Sequence, residues 1–272
     1  MRVAYLGPPG TFGEEAALRA APGAELAPFP SHAAVAAAVE AGKADAGLVA
    51  IENSLSGSVA ETLDILVHDT TLQIQAELVL PIVHNLVVKR GTAREAIKLI
   101  FSHTQALGQV RQFIERAFPE ARFEAALSTA EAVQEMLRRP GDAAAIATAR
   151  AATLYGADIL DRAIQDSDSN VTRFVLLGRA KPPPTGRDRT SIAFWFAGDE
   201  PGVLARVLNV FADRRISCSK IESRPTRAAF GEYVFLVDFE GHQDELAGRE
   251  VLTAVRPLCA QLKVFGSYPR WH

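Results

Sequence analysis

Residues 179–189 read RAKPPPTGRDR. Three consecutive prolines remove three backbone donors and fix φ, so neither a helix interior nor a central strand can run through them. A glycine and several basic side chains complete a segment with nothing to bury, and we read it as a linker. The chain changes character there. Alanine is abundant before residue 180 and sparse afterwards, while aromatic residues do the reverse. A length of 272 residues is comfortable for two domains.

Upstream of the linker, apolar runs of strand length alternate with helical stretches. Residues 2–6 (RVAYL), 24–29 (AELAPF) and 46–51 (AGLVAI) read as strands, and 14–21 and His32–Ala41 as helices. Such alternation predicts a parallel α/β sheet covered on both faces. Residues 73–90 (QIQAELVLPIVHNLVVKR) predict an extended region, and 74–88 is a natural crossover between two lobes. The pattern then resumes with strand 97–102, helix Thr104–Ala117, strand 122–127, helix Thr129–Arg138, strand 143–148, helix Ala149–Tyr155 and strand 171–178. Two α/β lobes follow, with a cleft between them for a ligand.

Downstream, strand 190–197 precedes a helix that starts at Pro201, behind the acids Asp199 and Glu200, which suit its positive end. Leu204, Val207, Leu208 and Phe211 form one apolar face. Strands 216–225 and 230–241, a helix over Glu245–Leu258 and strand 261–269 complete a βαββαβ order, which is ferredoxin-like. The expected division is 1–178, linker 179–189, and 190–272.

Composition narrows the function classes. Hydrophobic residues make up 48% and charged residues 22%, which argues for a folded chain over a disordered one. A net charge of −3 offers no basic field for nucleic acid or anionic lipid. Charged residues interrupt the apolar runs, so no membrane span is expected, and MRVAYLGPPG lacks a signal-peptide pattern. Cys218 and Cys259 lack zinc-ligand spacing and predict free thiols in the cytoplasm.

Four polar clusters lie where strands meet helices or turns. Gly7-Pro8-Pro9-Gly10-Thr11-Phe12-Gly13 is placed like a nucleotide loop, but its GxxGxxG spacing and two prolines spoil a phosphate cradle. What remains is a helix start near Thr11 that can bind a carboxylate, or a tight glycine turn. Residues 50–59 (AIENSLSGSV) put Glu52, Asn53 and Ser54 at a strand end, to line a site or to serve a turn capped by Ser56 or Ser58. Residues 101–109 (FSHTQALGQ) bring Ser102, His103, Gln105 and Gln109 to another strand end, with the two glutamines on one helix face. His103 there is a general base or a structural hydrogen-bonding residue. Residues 164–174 (IQDSDSNVTRF) form a solvated turn, or offer Thr172 as a hydroxyl and Arg173 as a carboxylate fork. HExxH and GxSxG are missing, which disfavours metal hydrolysis and a conventional serine nucleophile.

Taken in order, these segments resemble the prephenate dehydratase family. GPPGTF is similar to its GPxGTF, IENSLSGSV with LDIL to its ENS…G.V…LD.L, SHTQALGQ to its SHPQALxQ, and IQDSDSNVTRF to its I.D…N.TRF. Ala50, Thr104, Val110 and Gly13 depart from the usual Pro, Pro, Cys and hydroxyl residue. The last domain resembles an ACT domain through EPGVLARVLNVFA, KIESRP and GSYP. The resemblance implies an α/β fold with a two-lobed periplasmic-binding-protein-like catalytic domain plus a ferredoxin-like βαββαβ ACT domain. It implies decarboxylating dehydration of prephenate to phenylpyruvate, water and CO2 in L-phenylalanine biosynthesis, without metal or organic cofactor. Carried over by position, Thr172, Arg173 and Phe174 are catalytic. Thr11, Glu52, Asn53, Ser54, Ser102, His103, Gln105 and Gln109 bind substrate. Feedback by L-phenylalanine is implied at Pro201, Gly202, Val203 and Leu204 with Glu222, Ser223, Arg224 and Pro225. A cytoplasmic homodimer or homotetramer is expected, with no nucleic-acid or membrane partner. Arogenate dehydratase and a non-catalytic amino-acid sensor are the alternatives, and Thr172 within TRF favours catalysis.

Overall fold

The computed structural model describes residues 1–198, 200–226 and 232–271. Two compact units are present, residues 1–62 with 79–174, and residues 63–78 with Val175 onward. The elements of the first run β1 (Arg2–Leu6), α1 (Phe12–Ala20), β2 (Glu25–Phe29), α2 (His32–Glu40), β3 (Ala46–Asn53), β4 (Gly57–Ser58) and α3 (Ala60–Asp64). From β5 (Gln73–Pro81) the chain continues through β6 (Asn85–Val88), β7 (Leu99–Ser102), α4 (Thr104–Gln109), α5 (Arg111–Ala117) and β8 (Arg122–Ala125). Then come α6 (Thr129–Arg138), β9 (Ala143–Ala147), α7 (Ala149–Tyr155), β10 (Asp158–Asp161) and β11 (Val171–Gly178). α3, β5 and β11 are shared between the two units.

The strands form one sheet ordered β2-β1-β3-β11-β5, with β4 on β3, and a second ordered β10-β6-β9-β7-β8. Each sheet with its helices is a lobe. The second sheet corrects the expectation of wholly parallel strands. β7 is parallel to β8 and β9, but β6 is antiparallel to both β9 and β10. The reason is where β6 enters: Asn85 begins it opposite Ala147, where β9 ends. Two connections join the lobes, near 82–84 and 162–170. They pair with each other through Ile82 N–H to Asn170 O and Ile164 N–H to His84 O, both 2.9 Å.

Alternation along β9 explains the alanine content. Ala144 and Ile146 face the core shared with α4 and α5, whereas Ala143, Ala145 and Ala147 face that of α6 and α7. Small side chains on that face let two helices pack close to the strand.

The expected helix Thr104–Ala117 is two helices, α4 and α5, broken at Val110. Asp166 satisfies the break from a distant segment. Its N–H donates to Gln109 O at 2.8 Å, and its carboxylate accepts from the N–H groups of Gln112 (3.0 Å) and Phe113 (3.2 Å). A sequence window cannot reveal a cap supplied from more than fifty residues away. β10 also has no counterpart in the expectation, because its DILD run is too short and too acidic to read as a strand.

In the second unit, β12 (Asp188–Trp195), α8 (Val203–Asp213), β13 (Cys218–Pro225), β14 (Tyr233–Glu240), α9 (Leu246–Val255) and β15 (Gln261–Pro269) follow the βαββαβ order. The antiparallel sheet runs β13-β14-β12-β15. Phe194, Phe211 and Phe239 stand at its core with Ile192 and Val207, which is where the aromatic residues of this half go. β12 starts at Asp188, two residues before the expected strand, because Asp188 already pairs with Pro269 and its carboxylate accepts from Thr185 and Gly186. α8 starts at Val203 rather than Pro201, since Gly202 takes φ +82° at the N-cap. Asp199, and Phe230 and Gly231 of the expected third strand, lie outside the described residues.

Replacing Asp166 by Ala strips two N–H groups of α5 of their acceptor. The expected cost is about 1–2 kcal/mol, read as a lower denaturant midpoint with an unchanged slope. An unchanged midpoint would show that the cap is idle.

Candidate active site

A cavity of about 940 Å³ lies in the first unit, walled by both lobes. Its rim collects strand ends and helix starts, the usual location of ligands in open α/β sheets. α1, α2 and α6 begin on its wall at Phe12, His32 and Thr129. Thr11, Ser31 and Ser128 cap them by accepting from Glu14, Ala34 and Glu131 N–H. Each cap uses one of the orphan amides of its helix, and the helix dipole brings roughly half a positive charge to that end. Among the described residues no Lys or Arg lines the cavity. Two carboxylates do line it, Glu131 and Glu61, the latter accepting from Ala33 N–H at the start of α2, so any attraction for an anion comes from dipoles and not from side-chain cations.

The polar heart of the site joins β3, α4 and the turn into β11. Asn53 Oδ1 accepts from Leu55 N–H (3.1 Å) and Ser56 N–H (2.9 Å). Its Nδ2 donates to Asn170 Oδ1 (2.9 Å), Thr172 Oγ1 (2.9 Å) and Val171 O (3.1 Å), two hydrogens shared over three acceptors. Asn170 Nδ2 in turn donates to Gln109 Oε1 at 2.8 Å, and His84 Nε2 lies 2.7 Å from that same oxygen. Burial lowers the pKa of His84, with the Gln109 bond opposing it, and burial also lowers that of His32, with Glu61 opposing. Both imidazoles are therefore neutral at pH 7 and add no charge to the wall.

Of the residues expected at the site, Thr11, Asn53, His103, Gln105, Gln109, Thr172 and Phe174 line the cavity. Glu52, Ser54, Ser102 and Arg173 do not. Thr172 and Arg173 are neighbours on a strand, so their side chains leave on opposite faces. Arg173 is buried, with its guanidinium 3.5 Å from Glu52. Ser54 donates to Ser169 O and accepts from Val171 N–H, stitching two segments together. Ser102 is fully buried and bonds the His103 carbonyl. Thr11 reaches the wall as a helix cap, its hydroxyl donating to Pro8 O at 3.0 Å. Gln105 Nε2 donates across the lobes to Ser56 Oγ at 2.8 Å. His84, His32 and Glu61 went unnoticed in the sequence. His84 sits in PIVHNLVV, which reads as a plain extended run; only its burial beside an amide oxygen marks it.

The Gly7–Gly13 loop forms one wall and is clasped to the other lobe. Thr148 Oγ1 donates to Gly10 O (2.7 Å) and Tyr155 Oη to Pro9 O (2.8 Å). Glu14, nearly buried, accepts from Gly10 N–H (2.8 Å) and from Arg150 Nε (3.1 Å). Gly10 has φ +92°, and a Cβ there would lie 3.1 Å from Ala151 Cα, so no other residue fits between the lobes.

In the second unit, Arg224 and Trp195 pair with the same residue, Val234, from opposite sides. This puts the end of β13 level with the end of β12, which leads into the Pro201–Gly202 turn. Arg224 binds Asp64 at 3.0 Å and Glu222 at 3.6 Å. Among the described residues there is no metal-ligand cluster, and no helix is long and apolar enough to cross a membrane. Cys218 and Cys259 are free, and burial raises both thiols, Cys259 to about 11.

Comparison with known proteins agrees over the whole chain. The family model for prephenate dehydratase matches residues 3–182, and that for the ACT domain matches residues 190–257. A prephenate dehydratase from Mycolicibacterium vanbaalenii is 40% identical over 98% of this chain and 90% of its own. The crystal structure of a prephenate dehydratase from Arthrobacter aurescens in complex with L-Phe has TM-score 0.92 and 35% identity, covering 99% of this chain and 90% of that one. A structure described as GqqA, a novel type of quorum quenching acylase, has TM-score 0.90 and 29% identity, covering 100% and 98%.

Removing Glu14 leaves Gly10 N–H and the Arg150 guanidinium without their shared acceptor. Glu14→Ala is expected to cost about 1–3 kcal/mol and Arg150→Ala less, since that side chain is partly solvated. Thermal unfolding of the two variants checks the order; a larger loss for Arg150→Ala contradicts the clasp.

Proposed function

Because the chain belongs to the prephenate dehydratase family, we propose that the cavity of its first unit converts prephenate to phenylpyruvate, water and CO2. The observation that carries this reading is the Thr172 hydroxyl. Its oxygen accepts from Asn53 Nδ2, so its hydrogen is left to donate into the cavity that Thr172 lines.

The chemistry fits such a wall. In the reaction the bond from ring carbon to carboxylate breaks, and its electron pair becomes a ring double bond. The bond to the ring hydroxyl breaks with its pair leaving on oxygen, which takes one proton and departs as water. Gain of aromaticity drives both events, so the protein has to align the two breaking bonds and stabilise the departing oxygen. A threonine hydroxyl is too weak an acid to protonate it unaided. Thr172 orients the hydroxyl and passes to it a proton that solvent water replaces on Oγ1. The helix N-termini of α1, α2 and α6 face the two carboxylates, and Phe12 and Phe174 supply apolar wall for the ring. Arg173, turned away from the cavity towards Glu52, supports the strand that carries Thr172.

The acylase neighbour does not displace this reading. Ser31 and Ser128, the serines among the described residues of the wall, are engaged as helix caps, and neither is hydrogen-bonded to a histidine among the described residues.

L-phenylalanine binds at the turn Pro201–Leu204 and the strand end Glu222–Pro225, and it sets the rate by favouring one of two global states. The enzyme works in the cytoplasm, where its free thiols are at home, as a homodimer or homotetramer. β13, an edge strand with Ile221 exposed, supports pairing there.

Turnover of prephenate by the purified chain, followed as phenylpyruvate formation, tests the reaction. Thr172→Ala should lower kcat by roughly 10²-fold or more. A wild-type chain that turns over only arogenate, or nothing, contradicts the reading. Arg224→Ala should raise the L-phenylalanine concentration for half-inhibition by about ten-fold, the loss of one charge-assisted bond. Unchanged inhibition would overturn the regulatory assignment.

A further inference from the structure

The hydrogen bonds around Asn53 have a direction, and it can be followed outward without assuming any amide orientation. Backbone N–H groups can only donate. Those of Leu55 and Ser56 therefore fix which end of the Asn53 carboxamide is oxygen. Its nitrogen then faces Asn170 at 2.9 Å, so that atom of Asn170 is the oxygen. The other end of Asn170 is the nitrogen, and its partner on Gln109, at 2.8 Å, is an oxygen. His84 Nε2, 2.7 Å from this oxygen, has to carry the hydrogen, since a Gln109 oxygen has none to give. Nε2 thus carries the hydrogen, and in the imidazole that burial keeps neutral Nδ1 is bare, with no partner among the described residues. Gln109 Oε1 is saturated by two donors from within the protein. Gln109 Nε2 has no partner among the described residues, and Gln109 lines the cavity.

We propose that His84 and Asn170 are positioning residues that lock the Gln109 carboxamide with its nitrogen towards the cavity, where it donates to a carboxylate of the substrate. The inference rests on the prephenate reaction for the identity of that substrate, but the lock itself does not. An unlocked glutamine is free to present either end. A carboxamide oxygen turned towards a dianion would repel it, so the two buried partners decide whether this position attracts or opposes the substrate. Asn170 is 2% exposed and His84 equally so; Asn170 is the asparagine of the N.TRF-like segment, whereas the residues around His84 give no such signal. The same directionality makes Thr172 a donor, so both ends of the network meet the substrate with hydrogens.

The test separates the lock from simple packing. Asn170→Asp keeps the shape and the acceptor for Asn53, leaving Thr172 undisturbed, but puts an oxygen against Gln109 Oε1. Gln109 must turn over to donate to it, and KM for prephenate should rise about ten-fold or more with a smaller change in kcat. His84→Gln retains a donor for Gln109 and should leave KM within about two-fold, whereas His84→Leu should raise it. In the unliganded wild-type protein, nitrogen NMR should find His84 protonated at Nε2 and bare at Nδ1. An Nδ1–H tautomer, or an Asn170→Asp variant with wild-type KM, overturns the proposal. A wild-type chain without prephenate turnover sinks the reaction instead, and the tautomer still decides the lock.

Discussion

Two backbone amides, those of Leu55 and Ser56, hold the carbonyl end of Asn53, and the site depends on that one constraint. A carboxamide can face either way at nearly equal cost in water. Here it is pinned by groups that cannot reverse. From Asn53 the direction passes to Thr172 on one side and through Asn170 to Gln109 on the other. The residues lie on β3, α4 and the start of β11, which come together only because both lobes meet at this place. The fold therefore supplies more than a cleft. It fixes the sign of the hydrogen-bonding groups that face it.

That sign matters because the cavity has no cationic side chain among its described lining residues. Moving a dianion away from water is expensive, and a buried guanidinium would carry its own desolvation cost. Helix N-termini avoid that cost, since their amides are dipoles already oriented by the helix. α1 and α2 come from one lobe and α6 from the other. The clasp made by Glu14, Arg150, Thr148 and Tyr155 holds the Gly7–Gly13 wall against the second lobe, so the dipoles of both lobes act on one volume. The net charge of −3 is no obstacle to a chain that recognises its substrate through local donors.

Much of this was legible in the sequence. Thr129–Arg138, Ala149–Tyr155 and residues 171–178 and 261–269 fold with the limits their periodicity predicts, because each has strong patterning and a clear stop. The ENS, SHTQ and TRF segments pointed to Asn53, Gln109 and Thr172, which the fold brings to the wall of one cavity. Other features depend on partners distant along the chain. The break at Val110 needs Asp166, and the antiparallel run of β6 needs the lobe junction. Arg173, expected as a carboxylate fork, does not line the cavity. Its place next to Thr172 on a strand already implied opposite faces, and the attraction of a guanidinium for a carboxylate masked that simple geometry. His84 carried no local signal at all, since its role comes from an amide oxygen 25 residues away.

A dianion recognised by oriented neutral donors is the central claim, and a crystal structure of the Thr172→Ala variant with prephenate bound tests it most directly. The account predicts Gln109 Nε2 within hydrogen-bond distance of one substrate carboxylate, backbone amides of the helix starts around the rest of the negative charge, and Arg173 still turned towards Glu52. A structure in which Arg173 has swung into the cavity to hold a carboxylate, or in which Gln109 presents its oxygen, would contradict it.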